Sequence, residues 1–340
     1  MSAQMSMLSG AASPLAEVYD VALTDLDGVA FEGTRPVPRA AEGIERARAA
    51  GLRFCFVTNN ASRPPSAVVE HLASVGIQAA DADVVTASQA GAAMLARDLR
   101  AGSRVLVVGA AGLIEAVEEV GMVPVFSAED SPVAVIQGFG PRVDWASLAE
   151  ATYAIGGGAA FYATNLDKTL PTERGFAPGN GSLVAAVRSA TGVEPVSAGK
   201  PEPGIFWAAA ERMGARRPLV VGDRLDTDVA GARAAGLACL MVLTGVNTPR
   251  DVAMAAPRER PTYIGADLCA LTESHPQPAE RAGWWMVGDA HARVVGGAAT
   301  VTGGTWIDQV RALTCAAWAA ADAGTPLAPE RIVCPDPPPR

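Results

Sequence analysis

Apolar positions along this chain follow two rhythms. Short, nearly continuous apolar runs alternate with stretches whose apolar residues fall three and four apart. Residues 52–58 (LRFCFVT) form such a run, as expected of a strand buried on both faces. Residues 18–25 and 83–86 read as further strands. Residues 40–50 read as a helix stopped by Gly51, and 64–75 as a helix opened by Ser62 as N-cap, with Pro64 in its first turn. This strand–helix–strand order predicts a parallel sheet with helices on both faces. A second series follows, with strands at 104–109, 133–138 and 159–164. The first pattern then resumes with a strand at 218–222, a helix at 227–235 and a strand at 238–243.

After about Thr272 the rhythm changes. Residues 273–280 are polar and contain proline, which reads as a linker. Residues 284–302 suggest two or three short strands with glycine turns, 306–321 one helix, and 335–340 a frayed Pro-rich end. The expected class is α/β. It comprises a Rossmann-like doubly wound parallel sheet core, an inserted α/β domain and a small α+β C-terminal appendage. The expected boundaries are 15–87 and 191–272 for the core, 88–190 for the insertion and 281–335 for the appendage.

At 340 residues and 49% apolar, the chain can bury a sizeable core. No apolar run reaches the roughly 18 residues that a membrane span needs. The first 17 residues lack a basic segment followed by an apolar one. Five scattered cysteines without a CxxC pair indicate neither a disulfide framework nor a structural zinc. These features give the expectation of a cytoplasmic, reduced protein with no membrane partner. The formal charge of −9, without a Lys/Arg block, argues against nucleic acid. An anionic ligand must then be drawn by local charge.

The sharpest chemical feature is Asp25-Leu26-Asp27-Gly28, at the end of the first strand. Side chains two apart on a strand share a face. Two carboxylates held this close suggest a cation site, an acid/base pair, or both. Three more polar pieces follow apolar strands: Thr58-Asn59-Asn60-Ala61-Ser62, Gly199-Lys200-Pro201-Glu202-Pro203, and Gly222-Asp223-Arg224-Leu225-Asp226-Thr227-Asp228. In a parallel α/β sheet, such strand ends are where ligands bind.

These four pieces, in this order, resemble the haloacid dehalogenase-like hydrolase superfamily, and the resemblance runs over residues 19–267. It implies a Mg²⁺-dependent phosphatase. Asp25 would be the nucleophile that forms an aspartyl-phosphate, and Asp27 the acid/base. Asp25, Asp223 and the backbone carbonyl of Asp27 would hold the metal. Thr58, the Asn59 amide and Lys200 would bind the phosphate, with Asp228 as a supporting partner behind the metal. Asp226 reads as solvent-facing or helix-capping. The acid at position 27 fits a phosphatase, because the dehalogenases of this superfamily lack it.

The inserted domain, together with Phe161-Tyr162-Ala163-Thr164-Asn165-Leu166-Asp167 and Pro178-Gly179-Asn180-Gly181-Ser182, resembles the capped branch of the superfamily. That branch contains the glycerol phosphate, phosphoglycolate, pyridoxal phosphate and 4-nitrophenyl phosphate phosphatases. Residues 30–33 and 141–142 depart from the common pattern at single places. The resemblance implies a small phosphorylated metabolite as substrate, glycerol 3-phosphate first and phosphoglycolate second, and a homodimer through the cap. Asn165, Asp167 and Arg142 are the candidate substrate contacts; stabilising a turn is the bland reading for the first two and surface exposure for the third. His71, His275 and His291 lack metal-ligand spacing and read as solvated. Two other uses suit the same residues: phosphoryl transfer to a second acceptor, and phosphoester sensing without turnover.

Overall fold

A computed structural model describes residues 7–172 and 174–336, so most of the expected Pro-rich end lies outside the described residues. The apolar runs become parallel strands. Packing divides the chain into two units, Met1–Phe54 with Gly214–Arg340, and Cys55–Met213.

In the first unit, Val21–Thr24 pairs in parallel with Pro218–Gly222, which pairs with Ala238–Val242 and then Tyr263–Gly265. Val21, Ala22, Leu23, Leu219, Val220 and Val221 are fully buried. Burial on both faces is why these strands read as continuous apolar runs and not as alternation. The first strand is shorter than expected. Residues Leu15–Val18 form a helical turn instead, and the Asp20 carboxylate accepts the backbone amides of Arg216 and Arg217 just before the strand begins.

The C-terminal segment forms four antiparallel strands: Ala279–Arg281, Trp284–Val287, Ala290–Val295 and Ala298–Thr302. The helix Trp306–Asp322 lays Ala312, Leu313, Ala316 and Ala317 against Val287, Ala290 and Ala292. Trp318 is fully buried and its indole N–H donates to the Val252 carbonyl at 2.9 Å. The Arg260 guanidinium lies 5.0 Å from the Trp318 ring and grips the Asp322 carboxylate with two bonds of 2.7 and 2.8 Å. The appendage is thus tied to its own unit by burial and by charge.

In the second unit, Phe56, Val57 and Thr58 pair in parallel with Val84, Val85 and Thr86. Pro64 occupies the N-cap position of the helix Pro65–Ser74 without a side-chain capping bond; Ser62, the expected cap, gives its N–H and O–H to the Asn60 side chain. A five-stranded parallel sheet runs in the order Val196–Ser197, Ala160–Ala163, Ala134–Gln137, Arg104–Val108, Val123–Val125. One face packs Val135, Phe161 and Ala163 against Ala151, Ile155 and Val184; the other packs Val105, Val107 and Ile136 against Leu95, Leu113 and Val117. A hairpin, Thr169–Thr172 with Gly175–Pro178, projects beyond it. Among the described residues, no helix is long and apolar enough to cross a membrane.

The expected linker carries no helix or strand before Ala279, but the expectation of a solvated His275 is corrected. His275 is only 2% exposed. Its Nε2–H donates to the Ala270 carbonyl at 2.9 Å, and Nδ1 accepts from Arg311 at 3.2 Å. Ala11 donates its N–H to the His275 carbonyl. Arg311 and Ala11 come from far away in sequence, so the polar composition around His275 misled. Burial, and next to it the Arg311 charge, pull this imidazole down from 6.5 to about 4. Between these values the unfolded chain takes up a proton that the folded chain refuses. Stability is therefore full above pH 6.5 and falls as the pH drops toward 4, by about 3 kcal/mol in total. His275→Gln should flatten that part of the curve in urea unfolding from pH 7.5 to 4. An unchanged slope would refute a buried neutral imidazole.

Candidate active site

The site in the first unit follows from strand register. Thr24 lies opposite Val221, and the Asp25 amide extends the ladder by donating to the Val221 carbonyl at 2.8 Å. Asp223 follows the last residue of the neighbouring strand. Two carboxylates therefore leave the carboxyl ends of adjacent parallel strands. Asp228 joins them from a wide helical turn, Leu225–Val229, where its Oδ2 accepts the Arg224 amide. One oxygen from each of Asp25, Asp223 and Asp228 lies within 4.8 Å of the others. Asp25 is half-buried, and the other two are buried.

Ionised together, each pair at that separation repels by about 3 kcal/mol at an effective dielectric of about 20. The arrangement calls for a cation or for protons. Its donors are all hard carboxylate oxygens, which suit Mg²⁺ or Ca²⁺ and not a thiophilic metal. The backbone makes room for the group. A Cβ on Gly28, whose φ is +80°, would stand 2.5 Å from Asp223 Oδ2, and one on Gly245 would collide with the same oxygen. That oxygen accepts the Val246 amide at 2.7 Å. Thr244 donates to the Gly28 carbonyl at 2.7 Å, tying the two loops together.

Asp27 stands apart from this group. It is exposed, at a single bridge to Phe31. Asp228, expected as a supporting partner behind the metal, has an oxygen within 4.8 Å of oxygens of Asp25 and Asp223. Asp226 is exposed and paired with Arg224 at 2.8 Å, without capping the helix. Gly245 and the Val246 amide escaped sequence reasoning. Their only sign was their place just past the strand Ala238–Val242.

The second unit gathers Thr58, Asn59, Asn165, Asp167 and Lys200. Thr58 Oγ1 accepts the Asn60 amide at 3.1 Å, so its own hydrogen points elsewhere. The Asn59 side chain accepts the Lys200 amide at 2.8 Å and donates to the Lys200 carbonyl and an Asp167 oxygen, each at 3.0 Å. Lys200 is 3% exposed, with its ammonium 5.9 Å from the Phe206 ring centre. Asn165 is buried; it donates to the Asn59 carbonyl at 2.7 Å and accepts the Asp167 amide at 3.2 Å. Asn180, unassigned from sequence, donates to the Asn165 carbonyl at 2.8 Å. Arg142 is exposed.

Residues 22–123 match the family model of haloacid dehalogenase-like hydrolases, and residues 197–271 match a second, HAD-hydrolase-like model. The D-glycerol 3-phosphate phosphatase of Mycobacterium tuberculosis is 46% identical over 334 residues, covering 94% of this chain and 91% of its own. The chain belongs to the haloacid dehalogenase-like hydrolase family. The crystal structure of the glycerol phosphate phosphatase from Mycobacterium tuberculosis in complex with magnesium superposes with a TM-score of 0.84. It is 47% identical and covers 91% of this chain and 93% of its own. The 5'-nucleotidase YutF of Bacillus subtilis is 38% identical over 262 residues, covering 76% of this chain and 99% of its own. In this member of the family, Gly28→Ala should displace Asp223 and weaken divalent-cation binding about 10–100-fold by titration calorimetry. An unchanged affinity in a folded variant would show that the Gly28–Asp223 approach does not shape the site.

Proposed function

We propose that this haloacid dehalogenase-like hydrolase is a Mg²⁺-dependent phosphatase of small phosphomonoesters, with glycerol 3-phosphate as first substrate and phosphoglycolate as second. One observation carries the reading: a nucleophile-competent carboxylate, Asp25, belongs to a three-carboxylate group, with a separate exposed acid, Asp27, two residues on. The near full-length similarity to a D-glycerol 3-phosphate phosphatase supports the substrate.

Asp25 and Asp223 hold the metal, with the Asp27 carbonyl, and Asp228 lies near enough to share the work. When bound, Mg²⁺ supplies charge that offsets the phosphate and the carboxylates. An oxygen of Asp25 attacks phosphorus, and the ester P–O bond breaks. The departing alkoxide takes a proton from Asp27. Asp27 then removes a proton from water, which attacks phosphorus and releases inorganic phosphate and Asp25. Thr58, the Asn59 amide and Lys200 donate to the phosphoryl oxygens. Asp167, held by Asn59 and Asn165, is assigned to the leaving group's hydroxyls. Asn165 and exposed Arg142 complete the proposed substrate contacts.

The same proposal divides the chain into a core at 15–87 and 191–272, a cap at 88–190 and an appendage at 281–335. Exposed Phe126, Val133 and Trp145 support a homodimer through the cap. Five free cysteines support a reducing, cytoplasmic setting.

Phosphate release, with and without Mg²⁺, tests the reading. Glycerol 3-phosphate should give a higher kcat/KM than phosphoglycolate, pyridoxal phosphate or UMP. Asp25→Asn should cost about 10³-fold or more in kcat while the circular dichroism spectrum is unchanged. Turnover by Asp25→Asn near the wild-type rate would rule out the covalent route.

A further inference from the structure

We propose that Asn59 is a positioning residue for Lys200, and that Asp167 belongs to the same clamp; the proposal rests on the phosphatase reading for its kinetic consequence. Lys200 lies in the loop after the edge strand Val196–Ser197. An irregular loop has no ladder to fix its backbone, so the direction of a long side chain departing from it is set by whatever holds that backbone. Here one side chain does so at two points. Asn59 Oδ1 accepts the Lys200 N–H at 2.8 Å, and Nδ2 donates to the Lys200 C=O at 3.0 Å. A carboxamide offers an acceptor and a donor side by side, as an adjoining strand would. The orientation of the amide follows from its partners: only Oδ1 can face the Lys200 N–H, which leaves Nδ2 toward Asp167.

The second hydrogen of Nδ2 meets the Asp167 carboxylate at 3.0 and 3.2 Å. Asp167 is itself held by the Asn165 side chain, and Asn165 by Asn180. Asn165 also donates to the Asn59 carbonyl at 2.7 Å. The approach needs Gly199, where a Cβ would sit 2.7 Å from Asn59 Oδ1 and 2.6 Å from the Thr164 carbonyl. The Lys200 backbone is therefore locked to the segment that carries Asp167, just before the hairpin Thr169–Thr172 and Gly175–Pro178. Movement of that segment would be transmitted to the lysine through Asn59.

The test is a set of four variants: Asn59→Asp, Asn59→Ala, Asp167→Asn, and the double exchange Asn59→Asp with Asp167→Asn. Asn59→Asp keeps the acceptor for the Lys200 amide, loses the donor, and sets two carboxylates against each other. It should lower kcat for glycerol 3-phosphate about 10²-fold, the scale of an ångström-sized misplacement. Asp167→Asn alone should cost less, about tenfold. The double exchange restores a donor between positions 59 and 167 and should recover about tenfold over Asn59→Asp. A purely structural role predicts no such recovery. Hydrogen exchange at the Lys200 amide gives a readout without turnover and should speed up about tenfold or more in Asn59→Ala. Unchanged exchange, a kcat within about twofold of wild type in Asn59→Asp, or a double variant no better than Asn59→Asp would each overturn the clamp. A wild-type protein that releases no phosphate from any ester would remove the phosphatase reading instead, and exchange at Lys200 would still decide the clamp.

Discussion

Crowded carboxylates repel, and the first unit brings three of them, two buried and one half-buried, together. Asp25 and Asp223 are neighbours because Val21–Thr24 and Pro218–Gly222 pair in parallel and end within one residue of each other. Asp228 is a neighbour because the chain makes one wide turn before its helix. None of the three can move away without disturbing a fully buried strand or that turn. The repulsion is instead offset locally: the Val246 amide meets Asp223, the Arg224 amide meets Asp228, and a cation fits among the oxygens. Glycines at 28 and 245 give the carboxylates room, and the Thr244–Gly28 bond holds the loops that bear them.

The same constraint separates the two acids of the Asp25–Asp27 pair. Asp25 has an oxygen within 4.8 Å of oxygens of two other carboxylates. Asp27 is exposed, and its carboxylate is not part of that group. Two identical side chains, two residues apart, differ in their surroundings, and the proposed division of labour between them rests on that difference.

In the second unit, asparagine side chains tie irregular backbone together. Asn59, Asn165 and Asn180 are side chains with both donors and acceptors, and each meets backbone that lies outside regular ladders. Such groups are costly to bury unpaired. The appendage uses related chemistry, with Arg260 on Asp322 and Trp318, and Arg311 on His275 and Asp308. In each case a long side chain carries its apolar stem into the interior and spends its polar end on a specific partner.

What the sequence determined by itself was periodic or local. Near-continuous apolar runs gave the parallel strands, because burial on both faces leaves no alternation. The acids at the strand ends, Asp25 and Asp223, were legible as a carboxylate pair, because the two strands that precede them are apolar runs paired in parallel. The tertiary structure decided the rest. It placed Asp228 beside Asp25 and Asp223, buried His275 in a segment whose composition reads as a linker, and moved the helix cap from Ser62 to Pro64. It also gave the Asn59 side chain to the Lys200 backbone. The placements of Asp228, His275 and Asn59 depend on partners far away in sequence or on the path of a turn, and such partners are set by where the chain folds back, which no local pattern encodes.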